Sequence, residues 1–319
     1  MKIRAALILL CGSVALATHA QTYPTKPVRL VSPYPPGSSA DFTSRLYGPK
    51  LSEALGQQFI VDNRPGAAGN IGAEVVARAV SDGYTLLVAP AALTTSVSLY
   101  KTLSFDIVQD FEPISMLTTS ANLLAVRATL PVKSVKELVA LAKSQPGKLT
   151  YASTGTGGSG HLTMELFRLQ AGIDMVHVPY KGSSTAVPDM IGGQVDMMFS
   201  SSIALLPHMK SGRIRALGIT SPQRSALLPD LPTIAESGLP GFEAVGWSAM
   251  LAPAKTPRSI VMLLNATILK IAQMPEIVDR LSAQGAAPLT STPEQTRSII
   301  QREVAKWQKV VKAAGIKAE

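Results

Sequence analysis

The stretch VRLVSPYPPGSSADFTSRLYGPKLSEAL, residues 28–55, contains the unit from which the fold can be predicted. Val28 to Ser32 is a short run rich in valine and leucine, as is typical of a buried strand. A Pro/Gly/Ser loop follows, and the spacing of apolar residues then predicts a helix from about Ala40 to Leu55. The rest of the chain repeats this order of strand, loop and helix.

Outward from this unit, strands and helices continue to alternate. Such alternation favours a mostly parallel sheet that is covered by helices on both faces, so the predicted fold class is α/β. The further predicted segments are Phe59 to Val61, Asn70 to Val80, Thr85 to Val88, Lys148 to Ser153, His161 to Gln170, Met175 to Tyr180, Thr185 to Ile191, Val195 to Ser200 and Ile214 to Thr220.

Three more helices are predicted from their start signals. Ser134 and Glu137 have the spacing of a capping box. Thr256 precedes Pro257, and proline is favoured as a first helical residue. The run Thr292-Pro293-Glu294-Gln295 predicts the start of a long helix, in which Ile300, Val304, Trp307 and Val311 form one apolar stripe and which Gly315 ends.

A change in composition suggests the domain organisation. Residues 221–246 are rich in Pro, Gly and Ser, as expected of a chain that crosses between two lobes. We predict a first lobe of residues 22–122, which residues 246–319 rejoin, and a second lobe of residues 123–245. Ligands of open α/β sheets bind beyond the carboxyl ends of the strands, so two facing lobes would enclose a cleft there.

Composition and charge exclude several classes of protein. Of the 319 residues, 46% are hydrophobic and 16% are charged, which suits a folded chain with a large core. The net charge of +9 is spread along the chain and forms no run of Lys and Arg. The sequence therefore argues against a nucleic-acid-binding protein.

The N-terminus predicts the compartment. Residues 1–20 combine Lys2 and Arg4 with an apolar run and a small-residue end, the pattern of a secretory signal peptide cleaved near Ala20. Cleavage removes Cys11, the single cysteine of the chain. No later segment has 18 uninterrupted apolar residues, so we expect a soluble protein of the periplasm without disulfides.

The Gly-rich loop Gly155-Thr156-Gly157-Gly158-Ser159-Gly160 lies between a predicted strand and a predicted helix. It matches G-x-G-x-x-G, but the next strand ends without the acidic residue that a dinucleotide site needs, which argues against a nicotinamide cofactor. Backbone N–H groups at a helix N-terminus would suit an anion. An ordinary tight turn explains the same residues equally well.

Residues typical of catalysis are sparse. After the signal peptide the histidines are His161, His177 and His208, and their spacing matches no metal-binding motif. The sequence also lacks a G-x-S-x-G nucleophile motif. We therefore predict no enzyme, no cofactor and no metal site.

Five segments, taken together, resemble one known family. They are Tyr23 to Val31, Pro35 to Asp41, Asp62 to Gly72, Tyr151 to Ser153 and Val178 to Gly182. With them the mature chain resembles the tripartite tricarboxylate transporter substrate-binding proteins, also called the Bordetella uptake gene family. The resemblance implies a two-lobed periplasmic binding protein of type II, or Venus flytrap, topology, in which each lobe is a mostly parallel sheet flanked by helices.

The resemblance also implies which residues hold a ligand. In the family, the loop after the first strand and the loop after the Tyr-Ala-Ser strand bind one carboxylate through backbone amides, small hydroxyls and bridging waters. The matching residues are Tyr34, Gly37, Ser38, Ser39 and Asp41 in the first loop and Ser153, Gly155, Gly158, Ser159 and His161 in the second. Tyr180, Lys181, Gly182 and Asp196 are carried over as a far wall of the pocket. Ser38 stands where family members commonly have glycine, so we expect a different local backbone there.

The implied function is that of a receptor. A monomeric periplasmic protein would capture a small organic carboxylate by lobe closure and deliver it to membrane permease subunits. Two alternatives stay open: an exported enzyme that uses the loop Gly155 to Gly160, and a ligand-sensing co-receptor for a membrane histidine kinase. Dicarboxylates, tricarboxylates, amino acids and aromatic acids all stay open as ligands.

Overall fold

Strands and helices alternate along most of the chain in the computed structural model, which describes residues 23–225 and 227–316. The strands are β1 (Val28–Ser32), β2 (Phe59–Asn63), β3 (Thr85–Pro90), β4 (Phe111–Arg127), β5 (Thr150–Ser153), β6 (Val176–Pro179), β7 (Met197–Ser201), β8 (Ile214–Ile219), β9 (Val245–Pro253) and β10 (Ala286–Pro288). The helices are α1 (Ser39–Leu55), α2 (Asn70–Ala77), α3 (Ala92–Leu99), α4 (Val135–Ser144), α5 (Ser159–Ala171), α6 (Ser183–Ile191), α7 (Ser202–Lys210), α8 (Arg258–Ile271), α9 (Pro275–Ser282) and α10 (Pro293–Ala313). The predicted signal peptide, Met1 to Ala20, lies outside the described residues.

The strands form one continuous hydrogen-bonded path in the order β2-β1-β3-β9-β4-β7-β5-β6, and β10 and β8 also pair with β4. The path divides where β4 changes partners: Ala121 pairs with Val245 of β9, and the next residue, Asn122, pairs with Ser201 of β7. We call the part up to Ala121 of β4, with β1, β2, β3, β9 and β10, the first sheet. The second sheet consists of β4 from Asn122 onward with β5, β6, β7 and β8.

Each sheet combines parallel and antiparallel pairs. In the first sheet β2, β1 and β3 are parallel, and in the second sheet β6, β5 and β7 are parallel. The crossing strands β4 and β9 add antiparallel pairs to β3, to β7 and to each other. The predicted α/β class is confirmed, but the sheets are mixed rather than mostly parallel. The local patterns predicted only the strand-loop-helix units, and the crossing strands are not part of such a unit.

The central strands of each sheet are buried on both faces, which explains their continuous apolar runs. In the first sheet Leu30 packs in one hydrophobic cluster and its neighbour Val31 packs in another. In the second sheet Leu124 and Leu123 point into two different clusters in the same way. Alternate residues of a strand point to opposite faces, so helices must cover both sides of each sheet.

Helix α10 packs against the cores of both sheets. Its Thr292 side chain accepts a hydrogen bond from the Gln295 backbone, and the Gln295 side chain accepts one from the Thr292 backbone, so a capping box begins the predicted helix. Ile300 is buried in a cluster of the first sheet. Trp307 and Val311, further along the helix, are buried in a cluster of the second sheet. The predicted division into lobes stays a prediction, and α10 connects its two parts.

Other helix starts differ in detail from the prediction. Ser134 caps α4 by accepting from Glu137 N–H, but the Glu137 carboxylate accepts from Lys133 N–H rather than from Ser134. Helix α8 begins at Arg258, so Pro257 is its N-cap and not its first residue. These differences of one residue leave the positions of the helices as predicted.

Among the described helices, no single one is both long and apolar enough to cross a membrane. The pair α8 and α9, bent by 74°, has the length and composition to do so together.

Candidate functional site

The loops that follow the parallel strands all lie at the carboxyl edges of the two sheets. In the first sheet β1 leads into α1 and β3 leads into α3. In the second sheet β5 leads into α5 and β7 leads into α7. Each of these helices therefore begins at a carboxyl edge, where open α/β sheets bind their ligands.

A cavity of about 410 Å³ lies between the two carboxyl edges, and we call it the inter-sheet cavity. This volume is in the range of small-molecule sites. The residues that line it are Tyr34, Ala68, Ala91, Ala92, Thr95, Ser96, Leu99, Tyr100, Thr156, Gly157, Gly158, Ser159, Leu162, Val245, Gly246, Trp307 and Ile316. Loops of both sheets, the crossing strand β9 and helix α10 thus contribute to one enclosure.

Helices α3 and α5 both present their N-termini to this cavity. Ala91 and Ala92 begin α3, and Gly158 and Ser159 begin α5. Within the described residues, neither helix start is capped by a side-chain hydrogen bond. The first N–H groups of a helix have no acceptor inside the helix, and the helix dipole adds partial positive charge. Two such termini can bind an anion without any charged side chain.

The loop 154–158 is held in shape by its own hydrogen bonds. Gly155 and Gly157 have φ angles of 133° and 75°, which side chains other than glycine rarely adopt. The Gly155 N–H donates to Ser153 Oγ at 3.2 Å, and the Gly157 N–H donates to His161 Nδ1 at 2.9 Å. Ser153 and His161 are buried. Ser153 and His161 lie behind the cavity wall, where they hold the loop in position, and they do not line the cavity.

His161 belongs to a stack of three rings under this loop. Its ring lies 3.9 Å from the ring of His177, and the ring of His177 lies 4.9 Å from that of Tyr151. Burial, with the neighbouring His177, lowers the pKa of His161 to about 4. Burial also lowers the pKa of His177, whose Nε2 is 2.6 Å from Ser153 Oγ. Both imidazoles are therefore neutral near pH 7, so the side chains packed under the loop carry no positive charge from these histidines.

The loop after β1 is built around Asp41. The Asp41 carboxylate accepts hydrogen bonds from Gly37 N–H at 2.9 Å, from Asn63 Nδ2 at 2.9 Å and from Arg45 Nε at 3.0 Å. These hydrogen bonds lower the pKa of Asp41 against the effect of its burial. Because the carboxylate is buried and has three partners, it holds the loop in place.

We expect Asp41→Ala to lower the free energy of unfolding by about 1–3 kcal/mol, because three donors lose their acceptor. The measurement is urea unfolding at pH 7. Glu74→Ala is the matched control, since it removes an ion pair with Arg78 four residues away on the surface of α2. We expect the control to change stability by less than about 0.5 kcal/mol. Equal losses in both variants would contradict a special role for the Asp41 network.

The first loop contributes one residue to the cavity itself. Tyr34 lines the cavity, and its hydroxyl donates to the Ala68 carbonyl at 3.1 Å. Ser38 caps α1 by accepting from Asp41 N–H at 3.2 Å. Gly37 and Ser39 are exposed beside it, outside the cavity lining.

The structure does not bring the four predicted far-wall residues into the cavity. Tyr180, Lys181 and Gly182 follow β6, and the Tyr180 hydroxyl donates to Asp189 at 2.9 Å. Asp196 precedes β7 and lies at the amino edge of the second sheet, where Arg127 Nε and the Thr150 N–H each donate to it at 2.9 Å. A residue before a parallel strand cannot share an edge with the loops that follow its neighbours.

Several lining residues were missed by the sequence analysis. Leu99 and Tyr100 lie at the end of α3, a helix that the sequence prediction did not include. Trp307 and Ile316 come from the C-terminal segment, more than 100 residues from the Gly-rich loops in the sequence. The apolar spacing of α10 indicated a buried face, but no local signal could show that this face reaches the cavity.

Three buried side chains near the carboxyl edge of the first sheet have polar atoms without a protein partner. They are Ser32 Oγ, at the end of β1, both polar atoms of the Asn70 amide, at the start of α2, and Trp247 Nε1, in β9 beside the end of β3. Buried polar atoms normally form hydrogen bonds, so these three groups suit water or a ligand. Across residues 23–225 and 227–316, no group of three His, Cys, Asp or Glu side chains could hold a metal ion.

The comparisons with known proteins agree on one family. Residues 44–316 match the model described as tripartite tricarboxylate transporter family receptor. The chain is 38% identical over 313 residues to Protein BugT of Bordetella pertussis, covering 98% of this chain and 96% of BugT.

Two of the solved structures that share more than 30% sequence identity with this chain were determined with a bound ligand. Rpa4515 of R. palustris with adipate is 37% identical, with a TM-score of 0.75 over 93% of this chain and 100% of that one. MatC from Rhodopseudomonas palustris with bound malate is 31% identical, with a TM-score of 0.70 over 91% of this chain and 100% of that one.

Proposed function

Because this chain belongs to the family of tripartite tricarboxylate transporter receptors, we propose that it captures a small organic carboxylate in the inter-sheet cavity and delivers it to a membrane permease. The family resemblance predicted from the sequence is confirmed. The family consists of substrate-binding receptors, so the prediction that the chain is not an enzyme is also confirmed, and the alternative of an exported enzyme is wrong.

The pair of uncapped helix N-termini carries the proposal. Helices α3 and α5 begin at the same cavity but belong to different sheets. An anion between them would interact with both dipoles at once, and this interaction favours an arrangement in which the two sheets approach each other. The adipate of Rpa4515 and the malate of MatC are carboxylates, and this supports a carboxylate as the anion.

Lobe closure would bend the chain at its crossing strands. We propose lobes of residues 22–122 with 246–319 and of residues 123–245. The partner change in β4 at Ala121 and Asn122 and the start of β9 at Val245 support this division. Helix α10, which packs on both cores, would slide or tilt during closure.

The compartment fits this function. The family is periplasmic. We propose that residues 1–20 are a signal peptide that is cleaved near Ala20, and that the exported protein works as a monomer. The neutral lining of the cavity supports reversible binding, because a carboxylate held by dipoles alone can leave for the permease.

A thermal-shift screen of the purified protein tests the proposal. The panel contains mono-, di- and tricarboxylates, amino acids and a nicotinamide cofactor. A ligand at about 100 times its Kd adds about 2.7 kcal/mol to the free energy of unfolding, so we expect the midpoint to rise by about 5 °C or more with one carboxylate class. Uncharged amides of the same acids are the matched control and should give no shift. A shift with the cofactor alone would contradict the proposal. The absence of a shift with every acid on the panel would contradict it as well.

A further inference from the structure

We propose that the ligand of this receptor is a monocarboxylate with an aromatic body, rather than a di- or tricarboxylate. The inference rests on the proposed function and deepens it by naming the ligand class. It follows from the walls of the inter-sheet cavity, which lie beyond the two helix N-termini.

The first observation is the charge of these walls. Among the described residues, those that line the cavity include no Lys, Arg, His, Asp or Glu. The helix N-termini of α3 and α5 can compensate one carboxylate. A second carboxylate would lie against a wall without a cation. Burying a charge without compensation costs several kcal/mol of binding free energy.

The arginines of the neighbouring loops do not supply that cation. Arg45 Nε lies 3.0 Å from both carboxylate oxygens of Asp41. Arg64 Nε lies 3.0 Å from Asp62 Oδ2. Each guanidinium already has an acidic partner and lies outside the cavity lining. Turning Arg45 toward a ligand would leave the buried Asp41 carboxylate without its cation. Arg64 shares Asp62 with Arg29 at the surface of the first sheet.

The second observation is the apolar and aromatic character of the walls. Tyr34, Tyr100 and Trp307 contribute three aromatic side chains, and Leu99 and Leu162 contribute aliphatic ones. Both phenols line the cavity, and burial together with the nearby Tyr100 raises the pKa of the Tyr34 hydroxyl. Aromatic pairs gain about 0.5–1.5 kcal/mol beyond the burial of their area. A ligand with a flat aromatic ring therefore fits these walls better than a ligand with an aliphatic chain of the same size.

Isothermal titration calorimetry of the purified protein with five probes tests the ligand class. They are benzoate, cyclohexanecarboxylate, adipate, citrate and benzyl alcohol. We expect benzoate to bind about tenfold more tightly than adipate or citrate, and about fivefold more tightly than cyclohexanecarboxylate. Benzyl alcohol, which lacks the carboxylate, should not bind.

The outcomes separate the two proposals. Adipate or citrate binding as tightly as benzoate would overturn the aromatic class and leave the carboxylate receptor intact. Cyclohexanecarboxylate binding as tightly as benzoate would also overturn the aromatic class. If no acid on this panel or on the thermal-shift panel binds, the proposed function itself fails.

Thr95→Lys provides a second test, because it places a cation in the wall on α3. We expect the ratio of adipate affinity to benzoate affinity to rise by about tenfold, because the second carboxylate of adipate gains a cation and benzoate has no second carboxylate. Leu169→Lys, on an exposed position of α5, is the matched control and should change neither affinity. Circular dichroism and thermal unfolding verify that both variants fold. A folded Thr95→Lys variant with unchanged preference would overturn the proposed role of the uncharged wall.

Discussion

Ser159→Asp is expected to lower the affinity for the carboxylate ligand on the order of 1,000-fold while leaving the protein folded. Ser159 is the first residue of α5, lines the inter-sheet cavity and is exposed. Two like charges about 4 Å apart repel by about 4 kcal/mol at the effective dielectric of a protein surface, which corresponds to that loss. A negative side chain at a helix N-terminus stabilises the helix by about 0.3–1 kcal/mol, so the loss of binding would not come from unfolding.

Calorimetry with the ligand identified in the thermal-shift screen measures this effect. Ser159→Asn has nearly the same shape as the aspartate variant and no charge, so its affinity should stay within about threefold of the unchanged protein. Ser134→Asp places the same charge at the N-cap of α4, outside the cavity lining, and should not affect binding. An aspartate variant that binds normally would exclude the N-terminus of α5 from the site.

The free energy of unfolding is expected to fall by about 3 kcal/mol between pH 6.5 and pH 4, because the buried His161 must take up a proton. Burial and the stacked His177 lower the pKa of His161 from 6.5 to about 4 in the folded protein. The unfolded chain binds the proton first as the pH falls. The stabilising contribution is therefore complete above pH 6.5 and is lost as the pH falls through the folded pKa. His177, with its lowered pKa, acts in the same direction.

Urea unfolding at intervals between pH 7 and pH 4 measures this dependence. His161→Asn keeps an acceptor for the Gly157 N–H but cannot be protonated, so its stability should depend less on pH in this range. His208→Asn replaces a histidine on α7, away from the ring stack, and should leave the dependence as it is. Identical pH profiles for the His161 variant and the unchanged protein would contradict this assignment.

Much of the local structure could be predicted from the sequence. Strand β1 has the bounds that its valines and leucine indicated, and α1 begins one residue before the predicted Ala40. The long C-terminal helix begins at Pro293, within the run Thr292 to Gln295 that indicated its start. These features depend on residues within a few positions of one another, so their signals stand in the sequence itself. The combination of five short segments was specific enough to predict the family as well.

The candidate site was predictable only in part. Tyr34, Gly158 and Ser159, which were carried over from the resemblance, line the inter-sheet cavity. Asp196 was carried over from the same resemblance but lies at the opposite edge of the second sheet, bound to Arg127 and Thr150. A motif marks a residue type at a position along the chain. It does not show to which edge of a sheet that position leads.

The sequence by itself thus determined the alternation of strands and helices, the Gly and Ser residues at the helix starts, and the family. Only the tertiary structure decided that the Asp41 carboxylate accepts a hydrogen bond from Asn63, and that Trp307 reaches the cavity beside Gly158. The physical reason is the range of the interactions. Capping and periodicity act within one or two helical turns, whereas the cavity forms where β9 and α10 bring distant segments together.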